Sequence, residues 1–105
     1  MNEQINQPIP PFYHDIYKAT KESGFNMASD MLTCSLLRTM AASKPSGRFL
    51  ELGTGSGLAT SWILDGMDAD STITSIDNDE GQLAIADKYL GMDSRLTLVH
   101  TDGEA

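Results

Sequence analysis

Gly53, Gly55 and Gly57 stand at alternate positions directly after a short apolar run, Phe49-Leu50-Glu51-Leu52, and a second apolar run ends at Asp77. Glycine has no Cβ, so a chain rich in it can turn with positive φ or let a bound molecule lie against bare backbone. Where such a loop opens a helix, its amide protons and the positive helix end favour an electron-rich group. A carboxylate at the end of the next strand can take the two hydroxyls of a ribose. A tight turn alone would account for the glycines. Loop, helix and acid together point to a nucleotide-like ligand.

The loop itself narrows the ligand. A phosphate-binding P-loop requires Gly-Lys-Ser/Thr after its spacer, and no lysine is present here. A dinucleotide fingerprint, Gly-x-Gly-x-x-Gly, counted from Gly53 requires glycine where Leu58 stands. A third apolar run, Arg95 to His100, is followed by Asp102, so Glu51, Asp77 and Asp102 mark three successive run ends. A pyrophosphate among three acids lacks basic compensation. A cationic ligand carrying a ribose and an adenine suits them.

These residues need a scaffold, and the hydropathy pattern supplies one. Arg48–Leu52 reads as a strand, Leu58 to Gly66 as a helix, and Ser71–Ile76, with Thr72, Ile73, Thr74 and Ile76, as a second strand. Asp79–Leu90 is a predicted helix with Leu83, Ala86 and Leu90 on its inner face and Gly91 as C-cap, and Arg95–His100 is a third strand. Short connections between strand, helix and strand imply parallel pairing, right-handed crossovers and the order 3-2-1. The fold class is α/β, a Rossmann-like parallel sheet. Ligands of such sheets bind beyond the carboxyl ends of the strands.

Two helices precede the sheet. Residues 1–11 form a polar, then proline-rich arm, and Pro11 is suited to open a helix with Phe12, Ile16 and Ala19 on one stripe and Tyr13 and Tyr17 beside it. Gly24 stops it. A second helix runs from Ser29, a suitable N-cap, to Ala42; Leu32, Leu36 and Met40 recur at i, i+4 and i+8, Leu37 and Ala41 widen the stripe, and together they predict its buried face.

The 105 residues suffice for one small domain, and 40% hydrophobic with 21% charged residues is a soluble, globular balance. A formal net charge of −8 argues against a nucleic-acid surface and against an anionic membrane face. One cysteine, Cys34, excludes an internal disulfide and a cysteine metal cluster. No signal peptide or membrane-length apolar run is visible, which makes the cytoplasm the expected location.

Phe49-Leu50-Glu51-Leu52-Gly53-Thr54-Gly55-Ser56-Gly57 resembles the first motif of class I S-adenosylmethionine-dependent methyltransferases. Ile73-Thr74-Ser75-Ile76-Asp77-Asn78-Asp79 resembles their second strand with its ribose-binding acid, and Leu96-Thr97-Leu98-Val99-His100-Thr101-Asp102-Gly103 their third strand and adenine-side loop. The nearest subgroup is the small O-methyltransferases of the catechol and caffeoyl-CoA type. The resemblance covers residues 27–105, a partial S-adenosylmethionine-binding domain; residues 1–26 form the arm and first helix.

The resemblance implies a cofactor site made of Glu51, Gly53, Thr54, Gly55, Gly57, Asp77, Asn78 and Asp102, with Met27 and Ser29 walling the pocket. Asp77 would hold the ribose hydroxyls, and Glu51 the glycine loop or the amino-acid end. Gly53 and Gly55 would lie under the methionine and ribose portion. Asp102 would approach the adenine amino group; a solvated turn is its alternative, as packing and capping are for Met27 and Ser29. Methyl transfer to a small-molecule acceptor follows. The acids that bind a divalent metal in the catechol-type enzymes lie beyond a fourth strand, so no metal ligand and no catalytic residue is assigned. A seven-stranded sheet is implied, of which three strands are present, leaving the first strand as an edge open to self-association. Two other readings stand beside this one: an NAD(P)-dependent oxidoreductase-like domain, and a non-catalytic interaction module of the same fold.

The remaining reactive types read as structural. His14 is expected exposed, Cys34 buried in an amphipathic helix, and Trp62 packed between helix and sheet. His100 ends a strand near the crevice, where a base role and a packed or solvated role are both open. Asp79 is expected to be a helix N-cap rather than a ligand contact.

Overall fold

The computed structural model describes residues 9–25 and 31–101. In chain order these form α1 (Tyr13–Glu22), α2 (Met31–Ala42), β1 (Arg48–Leu52), α3 (Leu58–Gly66), β2 (Thr72–Asp77), α4 (Glu80–Leu90) and β3 (Leu96–His100). The strands make one parallel sheet in the order β1-β2-β3, the expected 3-2-1 arrangement. Its register pairs Glu51 with Ser75 and Asp77 with His100.

Side chains alternate across a strand, so each strand has an inner and an outer row. Ile73 and Ser75 of β2 are fully buried, with Phe49 and Glu51 beside them in register. Leu50 and Leu52 belong to the other row and are 65% and 76% exposed. The helices therefore cover one face, and the second apolar face of β1 lies open among the described residues. β1 is also the edge of the sheet there.

The core sits between that inner row and the helices: Ile16 and Tyr13 of α1, Cys34 and Ala41 of α2, Leu58, Trp62 and Leu64 of α3, and Leu90 of α4. Trp62 is 1% exposed, with the Tyr13 ring edge-on at 5.8 Å and the Arg38 guanidinium 4.4 Å from its ring centre. Arg38 also pairs with Asp65 at 2.9 Å. Gly66 lies directly under the Arg38 carbonyl, where any Cβ would collide, so α2 and α3 can approach closely only with glycine at that place. Arg95 fastens the start of β3. It grips Asp93 through Nε and Nη2 at 2.9 and 2.7 Å and reaches the Met67 carbonyl with Nη1 at 3.0 Å.

Element types and most bounds follow the sequence reading; the faces of α1 and α2 do not. The buried face of α1 is Tyr13, Ile16 and Thr20, not Phe12, Ile16 and Ala19. Phe12 stands before the helix as its N-cap, with φ 70° and half its surface exposed. In α2 the stripe Leu32, Leu36 and Met40 points outward, at 71%, 59% and 57% exposure; of the expected face Ala41 is buried and Leu37 half-buried, and Cys34 faces in as expected. At Gly66 the two helices meet backbone to backbone, and the α2 side chain that packs onto α3 is Arg38, over the Trp62 ring. Gly91 closes α4 in the right-handed rather than the left-handed conformation. Ser29 lies outside the described residues, so its capping role is not assessed.

Candidate cofactor site

The site begins where β1 ends. Gly53 and Thr54 donate their amides to the Ile76 carbonyl at 2.7 and 3.2 Å, which continues the sheet one step past the strand. The chain then turns with φ of 92°, 57° and 98° at Gly53, Gly55 and Gly57. Each value lies in the left-handed region that a Cβ disfavours. Gly57 is the N-cap of α3, and no side chain caps that helix. Its first turn is thus presented at the loop, the arrangement suited to an electron-rich group.

The three glycines differ in what surrounds them. A Cβ at Gly57 would stand 3.1 Å from Ala86 and Leu90, so that glycine serves packing. A Cβ at Gly55 would meet the Gln82 side-chain oxygen at 3.4 Å. A Cβ at Gly53 would meet nothing within 4 Å, and Gly53 is exposed. Gly53 therefore offers bare backbone to open space at the carboxyl end of the sheet.

Asp77 ends β2 and turns toward that loop. Its Oδ2 accepts the Gly55 amide at 2.7 Å, and its Oδ1 accepts the Asp79 amide at 2.8 Å. A carboxylate has about four lone-pair directions. Two are filled by backbone, and the half-buried group keeps acceptor capacity for further donors. Asp79 caps α4 as expected, accepting the Gln82 amide at 3.1 Å, and these bonds hold its carboxyl below the ordinary range.

Glu51 lies on the inner row, beneath the loop and against α3. Its Oε1 accepts the hydroxyls of Ser75 and Thr60, both at 2.6 Å. Ser75 has one proton and gives it to Glu51, so the 2.7 Å contact between Thr54 and Ser75 must be donated by Thr54. Thr54, Thr60 and Ser75 are 4%, 0% and 0% exposed. Burial raises the Glu51 carboxyl above its ordinary value; the two hydroxyls pull it back, and the Asp77 charge pushes it further up.

A second hydroxyl pair anchors the loop to α1. Thr20 and Ser56 are both buried and 2.7 Å apart, and Thr20 donates to the Ile16 carbonyl at 2.6 Å. Thr20 is also the donor toward Ser56 Oγ, its one proton shared between the two acceptors.

The structure thus brings Glu51, Gly53, Thr54, Gly55, Gly57 and Asp77 together. Asn78 follows Asp77 and is exposed; its carbonyl oxygen is 3.3 Å from His100 Nε2, and no contact ties its side chain to the loop. His100 is itself exposed. Met27, Ser29 and Asp102 lie outside the described residues. Sequence reasoning missed Ser75 and Thr60. The signal was there for Ser75, a serine amid β-branched residues at an inner position of β2. A separate cavity of about 340 Å³ lies between Phe12, Leu64, Tyr89, Leu90 and Arg95, and none of the glycine-loop residues lines it. Among the described residues no cluster of acids, histidine or cysteine has a metal-holding arrangement, and no helix is long and apolar enough to cross a membrane.

Comparison with solved structures assigns this architecture. The O-methyltransferase TomG of Streptomyces achromogenes, involved in tomaymycin synthesis and solved with SAM, superposes with a TM-score of 0.75 at 20% identity, over 84% of this chain and 41% of that one. An O-methyltransferase of Bacillus cereus in complex with SAH gives 0.80 at 14% identity, over 95% and 48%. The SAH-bound methyltransferase PaMTH1 of Podospora anserina gives 0.74 at 23% identity, over 93% and 45%. The chain has the Rossmann-like α/β fold of these methyltransferases and spans about half the length of the structures it matches. No protein-family model matches the sequence, and no curated protein does.

Proposed function

We propose that this chain carries the cofactor-binding part of an S-adenosylmethionine-dependent methyltransferase that transfers a methyl group to oxygen on a small-molecule acceptor. The observation that carries the reading is the Gly55–Asp77 unit: an acid at the end of β2 aimed at a glycine loop whose Gly53 face is bare. Residues 27–105 form the binding domain in this reading, and 1–26 an arm and helix. Asp77 takes the ribose hydroxyls, Glu51 serves the amino-acid end, and Gly53 lies under the ligand. When bound, the cofactor supplies a methyl group already activated on a sulfonium. The protein's part is to bind it, orient it and exclude water. The solved methyltransferases of the same fold, bound to SAM or SAH and two of them O-methyltransferases, support this choice.

The residues suit that cofactor better than NAD. Leu58 replaces the third glycine of the dinucleotide fingerprint, and it is buried in the core. No lysine or arginine stands within the loop to offset a pyrophosphate. Calorimetric titration with S-adenosylhomocysteine and with NAD separates the readings. Binding of the first alone is expected. Binding of NAD alone would favour the oxidoreductase-like domain, and binding of neither the interaction module.

A further inference from the structure

Resting on that reading, we propose that Ser75 and Thr60 are positioning residues that hold Glu51 as the counter-ion for the ammonium of the cofactor's amino-acid end. The four oxygens form one directed chain. Thr54 donates to Ser75 at 2.7 Å, Ser75 donates to Glu51 at 2.6 Å, and Thr60 donates to the same Oε1 at 2.6 Å.

Three separate elements converge on this acid. Glu51 comes from β1, Ser75 from the middle of β2, and Thr60 from the first turns of α3; Thr54 ties all three to the glycine loop. Nothing in sheet packing calls for such an arrangement. Taking a carboxylate partly out of water is costly, and here the inner-row position opposite Ser75 carries one with two buried hydroxyls directed at it. Both donors sit on Oε1, and the described residues bring no hydrogen bond to Oε2. The cluster thus spends two buried hydroxyls on keeping one oxygen fixed and the group charged, with the other oxygen in reserve.

The charge needs that support. Asp77, from β2, is the charged group that acts on Glu51, and it disfavours ionisation. On the other side α3 brings only Thr60, its one acid, Asp65, being paired with Arg38 at the far end of the helix. Removing either hydroxyl leaves burial and Asp77 less opposed, so the carboxyl keeps its proton to higher pH. An ammonium ligand would then find a neutral acid.

The test compares two probes on the full chain: S-adenosylhomocysteine, which carries the ammonium, and methylthioadenosine, which lacks the amino-acid end but keeps the ribose. For Ser75→Ala and for the near-isosteric Thr60→Val, affinity for S-adenosylhomocysteine at neutral pH should fall about tenfold. Affinity for methylthioadenosine should change less than about twofold. The acid limb of the S-adenosylhomocysteine pH profile should also move to higher pH. Equal losses for both probes, with an unmoved profile, would reduce the hydroxyls to loop packing and overturn the inference while leaving the proposed function in place. If Ser75→Ala does not fold, Thr60→Val decides. Wild-type protein that binds neither probe overturns the proposed function and this inference with it.

Discussion

The Gly55 amide donates to Asp77 Oδ2 at 2.7 Å, so the glycine loop after β1 and the acid ending β2 form one hydrogen-bonded unit. Neither could be placed alone. The loop bends through three left-handed glycines, and Asp77 pins its middle one; the same acid is steadied on its other oxygen by the Asp79 amide. The fold itself therefore organises loop and acid, and under the proposed function this reduces the ordering cost of binding.

The glycines should separate strain from contact. Gly53→Ala places a Cβ at φ 92° with no neighbour within 4 Å, so it should cost about 1–2 kcal/mol from backbone strain alone. Gly57→Ala adds crowding against Ala86 and Leu90 at 3.1 Å and should cost more. Urea unfolding orders the two. S-adenosylhomocysteine titration should show Gly53→Ala losing more affinity than its stability loss explains, because its new methyl enters the ligand's space.

Glu51 should make stability depend on pH in an unusual direction for an acid. Its folded-state carboxyl is raised above the ordinary value of 4.5, so on raising the pH the unfolded chain releases this proton first. The contribution is complete below that ordinary value and is lost as pH climbs through the folded one. Glu51→Gln keeps an acceptor for Ser75 and Thr60 and has no proton to release. Melting temperatures of the two proteins, compared from about pH 4 to about pH 8, should diverge in favour of the variant as pH rises. A constant difference across that range would refute the placement of Glu51 as a partly buried acid whose carboxyl is raised by desolvation.

Trp62 fills the centre of the core, yet its buried Nε1 finds no hydrogen-bond partner among the described residues. Trp62→Ala should cost about 3–5 kcal/mol. Trp62→Phe loses volume and also removes the unmet donor, whose burial costs about 1–3 kcal/mol, so its net loss should be well under half of that. Guanidinium unfolding of both variants checks the ratio.

Much of this was legible in the sequence because the signals are local. The strand ends, the glycine turn, the Asp79 cap and the inner face of α4 depend on neighbours a few residues apart, and each appears where its pattern puts it. What was hidden depends on contacts between elements. The stripe Leu32, Leu36, Met40 marks a helix correctly but not which side is buried, since the side is set by how α2 meets α3, at Gly66 against the Arg38 carbonyl and at Arg38 over Trp62. Phe12 likewise yields its place in the core to Thr20, whose hydroxyl is needed by Ser56 in the loop. The partners of Glu51 come from β2 and α3, and spacing along the chain carries no sign of that meeting.

The most direct test of the central claim is calorimetric titration of S-adenosylhomocysteine into the wild-type chain and into Asp77→Ala. Two ribose hydrogen bonds to a charged acceptor, each worth about 1.5–3 kcal/mol, lead to measurable wild-type binding and a loss of at least about tenfold in the variant. Equal affinity in the two proteins, with both folded, would contradict the assignment of Asp77 to the ribose and the account built on it.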